Sequence, residues 1–201
     1  MMTIKKRCPW VPTGDALYET YHDEEWGVPV HNDRKIFEFL VLESAQAGLS
    51  WRTVLHKRKN YRKAFANFDP KRVAKFTARN MTALLKNKGV IRNRQKIAAA
   101  INNAARFLEA QKEFGSFAEY AWGFVGIKPI VHQLRTNADY PETIPEAEAF
   151  AADLKKRGFK FLGPKIIYAH MQATGMVNDH VIDCFQRKKV GEKIQGRTLK
   201  N

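Results

Sequence analysis

The stretch Lys86-Asn-Lys-Gly-Val-Ile-Arg-Asn-Arg-Gln-Lys96 lies between two segments with helical periodicity. The first helix is expected to end near Gly89, because glycine commonly follows the last turn of a helix. Asn93 is a good N-cap residue, and a long helix is expected to run from it to about Lys112. The stretch therefore predicts a hairpin of two helices joined by a glycine-containing turn.

Four cations surround this turn: Lys88, Arg92, Arg94 and Lys96. In a helix–hairpin–helix element, backbone N–H groups of the turn face a DNA phosphate, helped by the start of the second helix. The usual motif has two glycines, and this turn has one. The hairpin is therefore interpreted as a phosphate-binding element. An ordinary helical corner with a basic surface is the alternative.

Helical periodicity extends outward from the hairpin over most of the chain. Asp33, Ser50 and Ser116 are candidate N-caps, and no stretch alternates as a strand would. Residues 126–145 contain three prolines and predict an irregular connection. Further helices are expected at residues 35–47, 50–66, 70–76, 116–122, 146–157, 164–174 and 178–186. These features predict an all-α fold.

The composition allows one domain, because the chain has 201 residues, of which 44% are hydrophobic. Its 35 Lys and Arg against 20 Asp and Glu give a net charge of +15, which attracts polyanions such as DNA. We expect one domain over residues 1–186, followed by a basic, flexible tail over 187–201. The sequence has no evident signal peptide or membrane-spanning run, which predicts a cytoplasmic protein. We expect it to act as a monomer.

Four residues could bind one metal ion. His180 and Cys184 are four positions apart, so on a helix they would lie on one face. Cys8 and His22 offer a second pair near the other end of the chain. Together they form a Cys2His2 set of the kind that structural zinc uses. A buried histidine and free cysteines in an apolar core are the alternative.

Glu43 falls on the apolar stripe of the helix predicted at 35–47, whereas Glu38 points away from that stripe. A carboxylate on a core-facing stripe is costly unless it is paired or useful. It is either satisfied by a neighbouring lysine or by backbone groups, or it is an acceptor at the floor of a binding pocket. Aromatic residues lie in the segments before and after this helix: Trp10, Tyr18, Tyr21, Trp26 and Trp51. Aromatic walls and a buried acceptor suit a flat, electron-poor base.

Several motifs resemble the family of bacterial 3-methyladenine DNA glycosylase I, and they occur in the same order over about residues 7 to 186. They are Arg7-Cys-Pro-Trp10, Tyr21-His-Asp-Glu-Glu-Trp-Gly-Val-Pro29, Leu42-Glu-Ser-Ala-Gln-Ala-Gly-Leu-Ser-Trp51, Lys156-Arg-Gly-Phe-Lys-Phe161 and Met171-Gln-Ala-Thr-Gly-Met-Val-Asn-Asp-His180. The resemblance implies a helix–hairpin–helix glycosylase fold. One structural zinc ion would join the two ends of the chain through Cys8, His22, His180 and Cys184.

The resemblance also implies roles for individual residues. Glu43 would be the catalytic residue that contacts the extruded base. The base-binding residues would be Trp10, Tyr18, Tyr21, Trp26, Glu43 and Trp51. Gly48 and Leu49 would intrude into the DNA stack, and the turn from Gly89 through Ile91 to Arg92, with Arg94 nearby, would hold a phosphate.

The implied partner is double-stranded DNA that contains alkylated bases. The implied reaction is hydrolysis of the N-glycosidic bond of 3-methyladenine, with 3-methylguanine as a further candidate base. The sequence shows no obvious catalytic aspartate after the hairpin and no candidate Schiff-base lysine, which favours hydrolysis without strand cleavage. The alternative is a zinc-stabilised DNA-binding module without catalysis. Such a module has no need for Glu43 or for the aromatic residues around it.

Overall fold

The structure is a computed structural model that describes residues 5–190, and helices dominate it. The helices are α1 (Ala16–Glu24), α2 (Asp33–Gln46), α3 (Trp51–Ala64), α4 (Pro70–Val73), α5 (Ala78–Lys86), α6 (Arg94–Phe114), α7 (Phe117–Trp122), α8 (Pro145–Lys156) and α9 (Pro164–Ala173). Short 3-10 turns cover Ala66–Phe68, Gly123–Val125 and Asn137–Asp139. The mostly helical architecture confirms the predicted fold class.

Two short segments depart from the all-helical prediction. Strands β1 (Ile130–Val131) and β2 (Val177–Asn178) form a parallel pair, in which Ile130 is opposite Val177. The helix predicted over 178–186 is therefore wrong at its start, because Asn178 belongs to a strand. The chain then continues through a turn, and helical structure resumes only at residue 185. A two-residue strand is too short to produce a visible alternation in the sequence.

Helix α2 runs through the centre of the molecule. All of its residues from Ile36 to Ala45 are buried, because α3, α6, α7 and α9 pack around it. Most of its apolar side chains belong to the main core, which includes Phe37 and Phe107 in edge contact at 5.2 Å. Phe39 instead belongs to a second apolar cluster, which also contains Cys8 and Cys184. The position of α2 therefore connects the main core to the two ends of the chain.

The predicted caps are confirmed with one change. The side chains of Ser50, Asn93 and Ser116 accept N–H groups in the first turns of α3, α6 and α7. Helix α2, however, is capped by Asn32, whose Oδ1 accepts the Lys35 N–H at 3.0 Å. Asp33, the predicted cap, accepts the N–H groups of Phe117 and Ala118, both at 2.8 Å. It therefore stabilises the start of α7 and fixes that helix to α2.

The basic tail was predicted to begin at residue 187 without apolar residues to pack. Residues 185–190 are instead helical, and the Val190 side chain is buried. Helical structure therefore continues past the expected domain limit at 186, and the limit itself stays a prediction. The rest of the predicted tail, 191–201, lies outside the described residues. Between residues 5 and 190, no helix combines the length and apolar character needed to cross a membrane.

Candidate active site and metal centre

A cleft of about 180 Å³ opens where α1, α2, α3 and α9 meet. All six residues predicted to bind the base lie in its wall. The complete lining is Trp10, Tyr18, Tyr21, Trp26, Glu43, Gln46, Trp51, Tyr140, Ala169 and Gln172. Two elements far apart in sequence, the N-terminal segment and α9, therefore face each other across the end of α2.

Glu43 provides the only carboxylate among the described lining residues. Its side chain is buried, and burial raises the pKa of this carboxyl to about 8, although the positive charge of Arg58 acts in the opposite direction. Within residues 5–190 it has no hydrogen-bond donor. The alternative in which a lysine or backbone groups satisfy Glu43 is therefore not what the described structure shows. The carboxylate is instead available to a group that enters the cleft.

The Arg58 guanidinium lies in an ion network on another side of α2. Its Nε donates to Glu38 Oε1 at 2.9 Å, and its two terminal nitrogens donate to the carboxylate of Glu25, both at 2.8 Å. Glu38, predicted to point harmlessly away from the core, is in fact buried within this network. Because α2 is surrounded, both faces of the helix are interior. Glu38 is paired with cations, whereas Glu43 lines the cleft without such a partner among the described residues.

The aromatic walls are braced by their own contacts. Tyr21 and Trp51 have ring centroids 5.1 Å apart, and Trp10 meets Trp26 edge-on at 4.7 Å. The ring centroid of Tyr18 lies 5.8 Å from that of Trp10, so Tyr18 extends the same aromatic wall. The rings thus surround a slot rather than filling it, and slots of this kind accept flat aromatic molecules.

The predicted site lacked four lining residues: Gln46, Tyr140, Ala169 and Gln172. Gln46 lies three positions after Glu43 on α2, so helical spacing alone could have identified it. Tyr140 comes from the irregular connection, where no periodicity indicates orientation. Its hydroxyl accepts the Trp10 Nε1–H at 3.2 Å and donates to the backbone carbonyl of Asp179 at 3.0 Å. Gln172 donates to the buried Asp179 carboxylate at 2.7 Å.

The four predicted metal ligands meet in one buried cluster. The candidate ligand atoms of Cys8, His22, His180 and Cys184 all lie within 4.8 Å of one another. Cys184 Sγ is 3.5 Å from both His22 Nε2 and His180 Nδ1, and Cys8 Sγ is 3.5 Å from His180 Nδ1. The two cysteines are free rather than joined in a disulfide. The prediction that His180 and Cys184 share one helix face is wrong, since a turn brings them together.

Outer contacts orient both imidazole rings toward the cluster. His22 Nδ1 is 2.8 Å from the Asp23 carboxylate, which leaves Nε2 facing the sulfurs. His180 Nε2 is 3.1 Å from the Trp26 carbonyl, which leaves Nδ1 facing them. A carboxylate or carbonyl on the outer nitrogen is the usual arrangement around a metal-bound histidine. Gly27 is required here, because a Cβ at this position would lie 2.9 Å from His180 Nε2.

The predicted DNA-intruding residues come directly after the helix that carries Glu43 and Gln46 of the cleft lining. Gly48 and Leu49 follow the C-terminal end of α2, two and three residues after Gln46 in the lining. Leu49 is 42% exposed, which is unusual for a large apolar side chain with an adjacent core. Gly48 has a φ of +75°, a backbone conformation that other residues rarely adopt. The turn therefore presents an apolar tip beside the site.

The predicted hairpin forms between α5 and α6, but its N–H groups are arranged differently from the expectation. The Gly89 N–H donates to Asn87 Oδ1 at 2.8 Å, and the Ile91 N–H donates to the Tyr61 hydroxyl at 3.0 Å. These two groups already have internal acceptors. Arg92 and Arg94 have exposed side chains on the same turn. A Cβ on Gly89 would lie 2.9 Å from Asn60 Cβ, so the single glycine allows the turn to pack on α3.

Comparisons with known proteins agree on one family. The model of the family described as methyladenine glycosylase matches residues 10–187. DNA-3-methyladenine glycosylase 1 of Escherichia coli (strain K12) is 46% identical over 179 residues, covering 89% of this chain and 95% of that protein. A crystal structure of 3-methyladenine DNA glycosylase I has 49% sequence identity and a TM-score of 0.87, and the match covers 90% of this chain and 98% of that one. The Staphylococcus aureus enzyme, whose structure concerns the recognition of 3-methyladenine, has 36% identity and a TM-score of 0.84, with 87% of this chain and 93% of that chain covered.

Proposed function

Because the chain belongs to the methyladenine glycosylase family, we propose that it removes 3-methyladenine from alkylated DNA by hydrolysing the N-glycosidic bond. The observation that carries the proposal is the buried Glu43 carboxylate, without a hydrogen-bond donor among the described residues, in a slot walled by aromatic rings. A planar cation fits both features, since it stacks on the rings and pairs with the carboxylate. Methylation at N3 makes adenine such a cation.

The substrate itself accounts for the modest catalytic machinery. The positive charge weakens the bond between C1′ and N9, and the base departs as a neutral molecule with the bonding electron pair. The oxygen of a water molecule bonds to C1′ and loses a proton. The protein has to extrude the nucleotide from the duplex, hold the base and stabilise positive charge on the sugar. Glu43 accepts hydrogen bonds from the exocyclic amine, and Tyr21 and Trp51 stack on the base.

No lysine is among the described residues that line the cleft. A Schiff-base intermediate requires a lysine amine at the reacting carbon. This favours a monofunctional enzyme that leaves an abasic site with both strands intact. Unmodified adenine is a poor leaving group and carries no charge for Glu43, so we expect it to be refused. We expect 3-methylguanine, which shares the N3 charge, to be a weaker substrate.

We further propose that the Cys2His2 cluster holds one structural zinc ion. Two ligands on a tetrahedral zinc ion, with Zn–S near 2.3 Å and Zn–N near 2.0–2.1 Å, lie about 3.5 Å apart. The observed separations between sulfur and nitrogen, 3.5 Å in three cases, fit this donor set. All four ligands are buried, so the ion would serve to hold the chain rather than to bind substrate. We also retain the monomeric state and the cytoplasmic location as expectations.

A base-release assay tests the proposed activity against the non-catalytic alternative. The purified protein is incubated with duplex DNA that carries methylated purines, and free bases are separated and quantified. We expect 3-methyladenine to appear in the soluble fraction while the DNA strands remain unbroken until alkali is added. Unmethylated duplex is the control and should release no adenine. A protein that binds the methylated duplex tightly but releases no base would be a DNA-binding module, and the proposal would be wrong.

A further inference from the structure

Lys96 connects the hairpin to the helix that carries Glu43. It is the third residue of α6, which is the second helix of the hairpin. Its Nζ donates to the backbone carbonyl of Ala45 at 2.9 Å and also to that of Ala47. These carbonyls lie at the C-terminal end of α2, between Glu43 and the turn formed by Gly48 and Leu49. The side chain therefore points into the protein, although the sequence groups it with the cations around the hairpin turn.

The end of α2 needs a cation that its own sequence does not supply. The last carbonyl groups of a helix have no partners within the helix, and the end as a whole carries partial negative charge. The last turn of α2 contains no basic residue. It is followed by Ala47, whose ψ of 117° ends the helix, and then by the sharp turn at Gly48. Lys96 supplies the missing donor from another helix.

The surroundings of Lys96 differ from those of an exposed lysine that is free to bind a phosphate. Its neighbours include Val41, Tyr61 and Ile97, and burial lowers the pKa of its ammonium. In the described part of the chain no carboxylate lies within ion-pair distance of it. Arg92 and Arg94, a few residues earlier, are exposed. Keeping a cation half-buried costs free energy, which is offset here by the two carbonyl contacts.

We propose that Lys96 is a positioning residue, which locks the C-terminal end of α2 to the hairpin and so sets Glu43 and the intruding turn relative to the bound duplex. This inference rests on the proposed function. The hairpin determines where the DNA backbone lies, and the end of α2 determines where the extruded base and the intruding Leu49 lie. Lys96 is a direct polar link between these two surfaces. A shift of about 1 Å between them would misalign the base and its carboxylate.

The test compares Lys96→Met, Lys96→Arg and the control Lys112→Met. Lys112 lies in the last turn of the same helix and is exposed. Excision of 3-methyladenine is measured in single turnovers with saturating enzyme, well below the melting temperature of each variant. We expect Lys96→Met to lower this rate roughly ten- to a hundredfold. Lys96→Arg, which retains donors and charge, should recover part of the rate, and Lys112→Met should match the wild type.

Two further measurements separate positioning from other roles. The salt dependence of binding to undamaged duplex should not change in Lys96→Met, because the side chain contacts no phosphate. Amide hydrogen exchange over residues 46–50 should become faster, and this readout does not depend on excision. A wild type that releases no base would contradict the proposed function, and the exchange data would still decide the positioning role. The inference would be overturned if Lys96→Met left the exchange pattern unchanged. It would also be overturned if this variant lowered the salt slope by about one and kept the wild-type single-turnover rate.

Discussion

The two glutamates of α2 show that ion pairing, rather than burial, distinguishes a structural carboxylate from one that is available to a ligand. Glu38 and Glu43 are equally buried. Arg58 and Arg62 donate to Glu38, and its pKa is lowered despite desolvation. Glu43 has no such donor among the described residues, and its pKa is raised to about 8. A carboxyl group kept in this state lowers the stability of the protein, and a ligand with positive charge relieves that penalty.

Replacing Glu43 by Gln should therefore slow excision and stabilise the fold. The folded-state pKa of Glu43 lies above the ordinary value of 4.5, so the carboxyl favours folding only when protonated. That contribution is complete below pH 4.5 and is lost as the pH rises toward 8. Because Gln does not titrate, the melting temperature of Glu43→Gln relative to the wild type should increase between pH 5 and pH 9. Excision should fall about tenfold, corresponding to ~1.4 kcal/mol of transition-state stabilisation.

Thermal melts at several pH values, together with single-turnover excision, check both parts of this prediction. The control is Glu119→Gln on α7, a carboxylate far in sequence from the cleft lining. A melting-temperature difference between Glu43→Gln and wild type that does not vary with pH would show that Glu43 titrates normally. Wild-type excision by Glu43→Gln would show that the carboxylate is not part of the reaction.

Among the helices and loops, the sequence predicted most helices and six of the ten residues that line the cleft, but not how distant segments come together there. Capping residues such as Ser50 and Asn93 mark helix starts locally, so their helices were placed within a few residues. Helix α1 was missed because its aromatic and acidic residues lack a clear apolar stripe. Tyr140 and Gln172 were missed because their orientation depends on Asp179, a contact between segments distant in sequence. Local patterns carry no information about such pairings.

The exposed arginines of the hairpin should determine the salt dependence of DNA binding. Each phosphate contact releases condensed counterions, so the slope of log K against log salt scales with the number of contacts. Replacing Arg92 and Arg94 together by Ala should reduce the magnitude of the slope by about 1.8 if each contacts one phosphate. Affinity should fall about equally for duplexes of different sequence. Binding isotherms at several salt concentrations provide the measurement.

Arg106→Ala serves as the control for this variant, because Arg106 lies on the same helix and pairs with Glu109 at 2.7 Å. Its slope should equal that of the wild type. If the double variant also keeps the wild-type slope, the hairpin does not contact DNA. The hydrogen bonds of the Gly89 and Ile91 N–H groups would then only hold the turn together. They would not serve to orient the arginines toward DNA.

In the fold as a whole, the Cys2His2 cluster joins a segment near the start of the described chain to one near its end. His22 lies on α1 and also contacts Trp10 and Trp26, two walls of the cleft, with ring centroids 5.3 and 6.2 Å away. Near the cluster, the Phe185 N–H donates to the Lys6 carbonyl at 3.0 Å. The cluster therefore directly contacts two walls of the cleft, and we expect its integrity to affect the shape of the cleft.

The purified protein should contain about one zinc ion per chain, and metal and stability should be lost together. Removing a ligand leaves three donors and lowers the affinity, and metal binding is coupled to folding because the unfolded chain lacks the site. Cys184→Ala should therefore lose zinc and melt at a lower temperature. Asp183→Ala, which removes only an exposed ion pair with Lys6, should keep both. Elemental analysis and thermal melts with and without a chelator provide the data. A zinc-free wild type with undiminished stability would contradict the prediction.

The meeting of the two chain ends also has a consequence for synthesis. A ribosome releases Cys8, the α1 aromatics and Glu43 long before His180 and Cys184. Throughout that interval the early aromatic wall has neither its opposite wall on α9 nor the ligands that complete the cluster. The lining of the cleft is therefore complete only after Gln172 has been synthesised, and the Cys2His2 cluster only after Cys184. A chain that ends before α9 would hold only the first part of the cleft lining and one of the two Cys–His pairs.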